Sequence, residues 1–253
     1  MVRELKIFET DVKYLEGDDG RPPVAIDDKL DLYVNGALYT TLYMSPTHVE
    51  ETIVGVLLGD GLVRSADEIE SVEVDERNKR AEVRVRGQPE AKRVHLEDCS
   101  PATLRAMRVG FGLKVPWSRI VEVYVDFNKR TISVTRGLAM HTSALYELEE
   151  GRAIVAHDTS RHTSIAKLIG IALKVGARFD RSLLITTGRA SADMVTRAAN
   201  VRSPIVISTR GPLYSGLTAA SLLGITLVSY LRRGEQVRGL TVMTYPERIL
   251  RDG

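Results

Sequence analysis

The sequence predicts an α/β protein with a hairpin-rich α+β N-terminal half and an α/β C-terminal half. Two observations carry that expectation. Residues 29–44, "KLDLYVNGALYTTLYM", alternate in polarity on both sides of Asn35-Gly36, the dipeptide of a two-residue hairpin turn. Beyond about residue 130, apolar runs at 153–156, 182–186, 205–208 and 225–231 alternate with helical patterns at about 161–175, 190–199 and 214–223. Strand–helix–strand alternation needs crossover connections and so implies a largely parallel sheet. The expected division is a lead-in over 1–23, an N-terminal subdomain over 24–130 and a C-terminal subdomain over 131–253.

Taken in order, residues 1–23 are charged, lack periodicity and end in "GDDGRPP". After the first hairpin, "SPTHVEETIVGVLLGDG" reads as a helix opened by a capping box, Thr47 facing Glu50, and closed by Gly59 and Gly61. "SVEVDERNKRAEVRVRG" is a second alternating hairpin. Residues 87–117, rich in Pro, Gly and charge, form a long connection around Cys99. "SRIVEVYVDF" is ambiguous: β-branched residues favour a strand, while its length permits a helix.

Composition narrows the function. Hydrophobic content of 43% and charged content of 27% describe an ordinary globular chain. Apolar stretches such as Ile205–Ile207 fall far short of the roughly 18 residues that cross a bilayer, so no membrane segment is expected. The charged N-terminus has no apolar core for a signal peptide, and the expected compartment is the cytoplasm. A single cysteine, Cys99, excludes an internal disulfide and any multi-cysteine metal site, so no bound metal is expected. A net charge of +2 argues against nucleic acid as a partner. Of the 35 basic residues, however, 26 are arginine, the side chain that grips anions through a planar fork.

The arginines collect at four junctions: "VTRGLAMHTS" (134–143), "AHDTSRHTS" (156–164), "TTGRASAD" (186–193) and "STRGPLYSG" (208–216). Each carries one, Arg136, Arg161, Arg189 or Arg210, with small or hydroxyl residues beside it, among them Gly188, Ser191 and Ser208. His141 and His162 accompany two of them, and Asp158 is placed to accept hydrogen bonds from a base edge or to orient His162. In open parallel sheets, ligands bind beyond the carboxyl ends of the strands, where helix N-termini offer free N–H groups. Such a site suits a polyanion with a polar ring, which describes a nucleotide. Taken singly, each residue has an ordinary structural reading: a loop arginine is a solvated charge, a histidine caps or packs, and Gly188 turns the chain. Neither a phosphate-loop nor a dinucleotide glycine motif occurs. Repetition at four junctions is what points to a ligand.

The chain also resembles the FdhD family, the formate dehydrogenase accessory sulfurtransferases, from about residue 30 to 248. "LDLYVNGALYTTLYMSPTHVEETIVGVLLGDGLVRSADEI" is similar to the family's hairpin and following helix. "AHDTSRHTSIAKLIG" is similar to E-D-V-G-R-H-N-A-x-D-K-x-x-G and keeps Asp158, Arg161, His162, Lys167 and Gly170. "TTGRASADMVTRAA" resembles S-G-R-x-S-x-E-x-V-x-K-x-A, "STRGPLYSGLTAASLLGITLVSYLR" the region of S-x-P-[ST], and "TRGLAMHTSAL" the segment T-G-G-x-H-A-A-A.

The resemblance implies a cytidine-deaminase-like mixed sheet in the C-terminal half, a homodimer, and transfer of sulfur from a cysteine desulfurase. The acceptor it implies is the molybdenum, or tungsten, bis-guanine-dinucleotide cofactor of a formate dehydrogenase-type enzyme. It assigns Cys99 to the sulfur-carrying position. The guanine-nucleotide ends of the cofactor, for which GDP is a mimic, fall to Arg136, His141, Asp158, Arg161, His162, Lys167, Gly188, Arg189, Ser191, Ser208 and Arg210. The family's C-G-x-C-G loop reads "EDCSPAT" here, with Ala102 at the second cysteine. A chaperone that delivers the cofactor without moving sulfur is the alternative. A zinc deaminase-like hydrolase lacks its His/Cys/Cys ligand set in this chain.

Overall fold

A computed structural model of the chain describes residues 5–18, 20–87, 106–233 and 236–252, and the side chains of all of these except 231–238. Strand β1 (Lys6–Glu9) and the short pair β2 (Tyr14–Leu15) and β3 (Val24–Ala25) come first. They precede β4 (Asp28–Val34), β5 (Ala37–Met44), helix α1 (Val49–Gly59), β6 (Ile69–Asp75) and β7 (Arg80–Val85). Past residue 106 follow β8 (Val115–Pro116), α2 (Trp117–Gly137), β9 (His141–Glu147), β10 (Arg152–Asp158) and α3 (Arg161–Lys174). The chain continues through β11 (Ser182–Thr186), α4 (Ala192–Asn200), β12 (Ile205–Ser208) and α5 (Tyr214–Leu223). It closes with β13 (Thr226–Arg233), β14 (Gln236–Val242) and β15 (Ile249–Leu250).

Two sheets dominate. The smaller has the order β5-β4-β7-β6 and the larger β1-β10-β9-β11-β12-β13-β14. Asn35 and Gly36 turn the β4–β5 hairpin with φ of 49° and 82°, and the Asn35 amide is bonded to the backbone of Val85 and Gly87. The larger sheet is buried on both faces, which is why its strands read as unbroken apolar runs. Leu184, Val206 and Leu227 face a core shared with α1, α3, α4 and the small sheet. Leu183, Ile185, Ile205 and Ile207 face the opposite way, onto Ile120, Val123 and Phe127 of α2.

Several expectations give way here. The ambiguous segment after Trp117 is helical, because Ile120, Val123, Phe127 and Thr131 form one buried stripe at helical spacing. Residue 130, the expected boundary, therefore lies inside α2, and the first core draws on both halves of the chain. Residues 6–9, expected in the lead-in, pair in parallel with β10 as an edge strand of the larger sheet. That sheet is mixed rather than largely parallel, since β9 runs antiparallel between β10 and β11. The capping box at α1 does not form: His48 occupies the N-cap with φ of 51° and no side-chain cap bond. Thr47 instead accepts a hydrogen bond from Lys167 Nζ at 3.1 Å.

Helices α1 and α3 cross in backbone contact. A Cβ on Gly55 would lie 1.7 Å from the Ala166 carbonyl oxygen, and one on Gly170 would lie 1.8 Å from that of Glu51. Only glycine permits that approach. The crossing fastens the small sheet and its helix onto the face of the larger sheet. No helix among the described residues is long and apolar enough to cross a membrane.

Candidate functional site

The antiparallel strand β9 begins where β10 and β11 end. His141 is the register partner of Asp158, Ser143 that of Thr186, and Thr186 that of Ser208. The ends of β10, β11 and β12 therefore share one edge with the start of β9. Helices α3, α4 and α5 all open at that edge, each presenting the positive end of its dipole.

Hydroxyls tie the edge together. Ser143 Oγ lies 2.9 Å from Ser164 Oγ and 3.0 Å from Thr186 Oγ1, and the Gly188 N–H donates to Thr186 Oγ1 at 3.1 Å. Ser208 donates to the Gly188 carbonyl at 2.7 Å, joining the β11–α4 turn to the end of β12. Gly188 sits against the Arg161 and Met194 side chains, where an added Cβ would lie 3.2 Å and 3.0 Å away. Its role is close approach: it allows the turn that carries Arg189 to lie against the first turn of α3.

Six of the proposed ligand residues surround this frame. Arg161 is the first residue of α3, half-buried, with its pKa lowered by burial and then by the neighbouring Arg189 cation. Arg189 itself is exposed on the turn before α4. His141 is half-buried, its Nδ1 3.2 Å from Thr187 Oγ1. Burial, followed by the nearby Arg210 cation, holds its pKa below the usual histidine value. Arg210 is exposed at the end of β12, and His162 Nε2 lies 3.8 Å from Asp193 Oδ2. Ser191 caps α4 without a side-chain cap bond, and its buried hydroxyl has no hydrogen-bond partner among the described residues.

Other proposed residues stand differently. Asp158 and Lys167 are fully buried and ion-paired at 2.6 Å. Asp158 Oδ1 accepts from Thr163 Oγ1 at 2.6 Å and from the Ser160 N–H at 3.0 Å, while Lys167 donates to Thr47 Oγ1 and the His157 carbonyl. Burial lowers the Lys167 pKa, with Asp158 pulling it back up. Their polar atoms thus serve one another and the end of β5, not the rim. The Ser208 hydroxyl is likewise engaged within the frame. Arg136 lies exposed on the last turn of α2, outside the hydrogen-bond network of this edge. The segment of Cys99 and Ala102 lies outside the described residues.

Two clusters behind the rim escaped sequence reasoning. Arg197 of α4, 1% exposed, pairs with Asp60 at 2.8 Å, approaches Asp193 at 3.6 Å and donates to the His162 carbonyl at 2.6 Å. Burial opposes its charge, but Asp193 and Asp60 hold its pKa above the ordinary value. Its signal was present, since an arginine at the apolar positions of "MVTRAA" must be paired inside. Buried His157 bridges Thr142 Oγ1 at 2.8 Å and Glu9 Oε1 at 2.7 Å, tying β1 to the sheet. No local pattern announces that contact. No cluster of three or more His, Cys, Asp or Glu side chains among the described residues is placed to hold a metal ion.

Comparison with known proteins gives one consistent result. The chain is 29% identical over 255 residues to the sulfur carrier protein FdhD of Methanothermobacter thermautotrophicus, covering 96% of this chain and 98% of the relative. It is 27% identical to the protein of the same name from Shouchella clausii, with 90% of each covered. The crystal structure of a protein from Desulfotalea psychrophila, described as a formate dehydrogenase accessory protein, superposes with a TM-score of 0.70. That match has 25% identity and covers 95% of this chain and 98% of the other. Residues 25–250 match the FdhD/NarQ family, and the chain belongs to it.

Proposed function

We propose that this protein is a sulfur-carrying accessory factor that holds a guanine-dinucleotide molybdenum or tungsten cofactor as cargo, on behalf of a formate dehydrogenase-type enzyme. The observation that carries the nucleotide part is the pair Arg161 and Arg189. Two guanidiniums at the mouths of two helix N-termini, near enough that the Arg189 cation adds to burial in lowering the Arg161 pKa, are relieved by a bound phosphate. The orphan Ser191 hydroxyl beside them is a further donor for the same group. His141 and Arg210 extend the rim toward β12, giving length for a nucleotide rather than for phosphate alone. Asp158, Lys167 and Ser208 act as positioning residues in this reading.

Cys99 is the sulfur carrier in the proposal. Its thiolate attacks the outer sulfur of a persulfide on a donor such as a cysteine desulfurase; a new S–S bond forms on Cys99, and the donor's own thiolate leaves. Ala102 in place of a second cysteine favours one further reading, delivery of the cofactor without sulfur transfer. The cytidine-deaminase-like description of the large sheet, cytoplasmic location and homodimeric assembly rest on the family resemblance; two guanine ends suit two symmetric sites.

Calorimetry with GDP tests the nucleotide site. Binding is expected, and Arg189→Ala or Arg161→Ala is expected to weaken it by about 1–3 kcal/mol, the scale of a charged hydrogen bond. Absence of GDP binding at tenth-millimolar protein rejects the reading.

A further inference from the structure

A second basic site lies at the other end of the same strands. A cavity of about 690 Å³ is lined by Arg64, Arg108, Arg181 and Arg202, with Asp180 as its one carboxylate among the described residues. Residues 180–181 precede β11 and residues 202–204 precede β12, so the cavity opens at the amino ends of strands whose carboxyl ends carry Arg189 and Arg210. Its size falls within the range of about 300–1,000 Å³ common for small-molecule sites.

The wall formed by residues 107–113 is built rather than draped. The Val109 N–H donates to the Leu223 carbonyl at 2.8 Å. Arg248, 1% exposed, donates to the Gly110 carbonyl at 2.8 Å and stacks on Phe111, its guanidinium 4.2 Å from the ring centroid. Phe111 in turn meets Tyr245 edge-on, with ring centroids 5.3 Å apart. Across the cavity, Gly61 with φ of 75° sits over the Asn200 amide, which is fixed to the Gly59 carbonyl at 2.8 Å.

The charge there is not balanced locally. Arg64 and Arg202 form no ion pair among the described residues, Arg108 meets the Tyr245 hydroxyl and aromatic rings, and Arg181 has only a loose pairing with Glu149 at 3.6 Å. The carboxyl ends of α1 and α4 also reach the cavity, each with about half a negative charge. Together they offset about one of the four guanidiniums; Asp180 is itself bonded to Arg178 at 3.3 Å, and with Glu149 counted against Arg181 about two remain uncompensated. A solvated arginine on a convex surface needs no partner, but converging arginines in a concave, partly apolar cavity lower the energy of an anion placed among them.

We propose that this cavity is a second ligand site, for a small polyanion carrying at least two phosphate or carboxylate groups. It is separate from the nucleotide rim and does not depend on that reading. The test is calorimetry of the full chain at low salt with inorganic pyrophosphate, and in parallel with citrate. Saturable binding of at least one is expected, weakened about tenfold or more in Arg64→Gln/Arg202→Gln, while GDP affinity and Tm match the wild type. Tighter pyrophosphate identifies a phosphate ligand, and tighter citrate a carboxylate one. If neither anion binds at millimolar concentration, or if the double variant binds both as the wild type does, the site is overturned. Neither result bears on GDP binding at the opposite edge.

Discussion

Lys167 Nζ lies 2.6 Å from Asp158 Oδ2, and solvent reaches neither side chain. Asp158 ends β10, Lys167 lies in the second turn of α3, and the ammonium also reaches Ser45 and Thr47 beyond β5. One ion pair therefore joins both sheets directly behind the rim proposed to hold the nucleotide.

Removing half of that pair is expected to be severe. Lys167→Met leaves a carboxylate buried without its counter-charge, which costs about 3–5 kcal/mol. Asp158→Asn combined with Lys167→Met removes both charges and is expected to recover more than half of the loss. Urea unfolding measures both. A Lys167→Met protein as stable as the wild type contradicts the structural role assigned here.

Acid stability is expected to depend on His157 and His141, both held below the usual histidine pKa, chiefly by burial. Below pH 6.5 the unfolded chain takes up protons on these rings that the folded chain refuses. The unfolded state then binds more protons, so stability falls as pH falls from 6.5 toward the lowered folded values. Each ring contributes at most about 1.4 kcal/mol per pH unit. Unfolding free energies measured from pH 7.5 to 5 are expected to show a shallower slope in His157→Gln than in the wild type. An identical slope removes His157 from the account.

Two glycine substitutions should separate site geometry from folding. Gly188→Ala places its Cβ 3.0 Å from the flexible end of Met194, which side-chain movement can relieve, and 3.2 Å from Arg161 Cβ, which needs a small backbone shift of α3's first turn. It is expected to fold and to bind GDP less tightly, as Arg161 is displaced. Gly55→Ala drives its Cβ to 1.7 Å from a backbone oxygen and is expected to cost roughly 3 kcal/mol or more, because two helices must separate. Thermal unfolding alongside GDP titration distinguishes the two outcomes.

Cys99 provides the test of sulfur transfer. After incubation with a cysteine desulfurase and cysteine, intact-protein mass spectrometry is expected to show one added sulfur atom, absent in Cys99→Ser. Client activation should be lost with it. Full activation by Cys99→Ser favours delivery of the cofactor without sulfur transfer.

What the sequence by itself determined is local. Asn35-Gly36 announced its hairpin because two successive positive φ angles suit few other residue pairs. The runs at 182–186 and 205–208 announced buried strands, and the periodic segments between them their helices, because burial imposes those periods. Arginine, glycine and hydroxyl residues recur where β10, β11 and β12 give way to helices, while the fourth junction, 134–143, runs from α2 into β9. Tertiary structure alone decided which of these residues meet. It moved residues 6–9 into the large sheet, placed β9 antiparallel so that His141 joins the rim, and left Arg136 outside it. It also turned Asp158 and Lys167 inward toward each other and buried Arg197 against Asp60. A sequence motif records which groups a residue carries, but the counter-charge of Arg197 and the Thr47 hydroxyl that holds Lys167 inward lie more than a hundred residues away in the chain, brought near only by packing of the two sheets around the α1–α3 crossing.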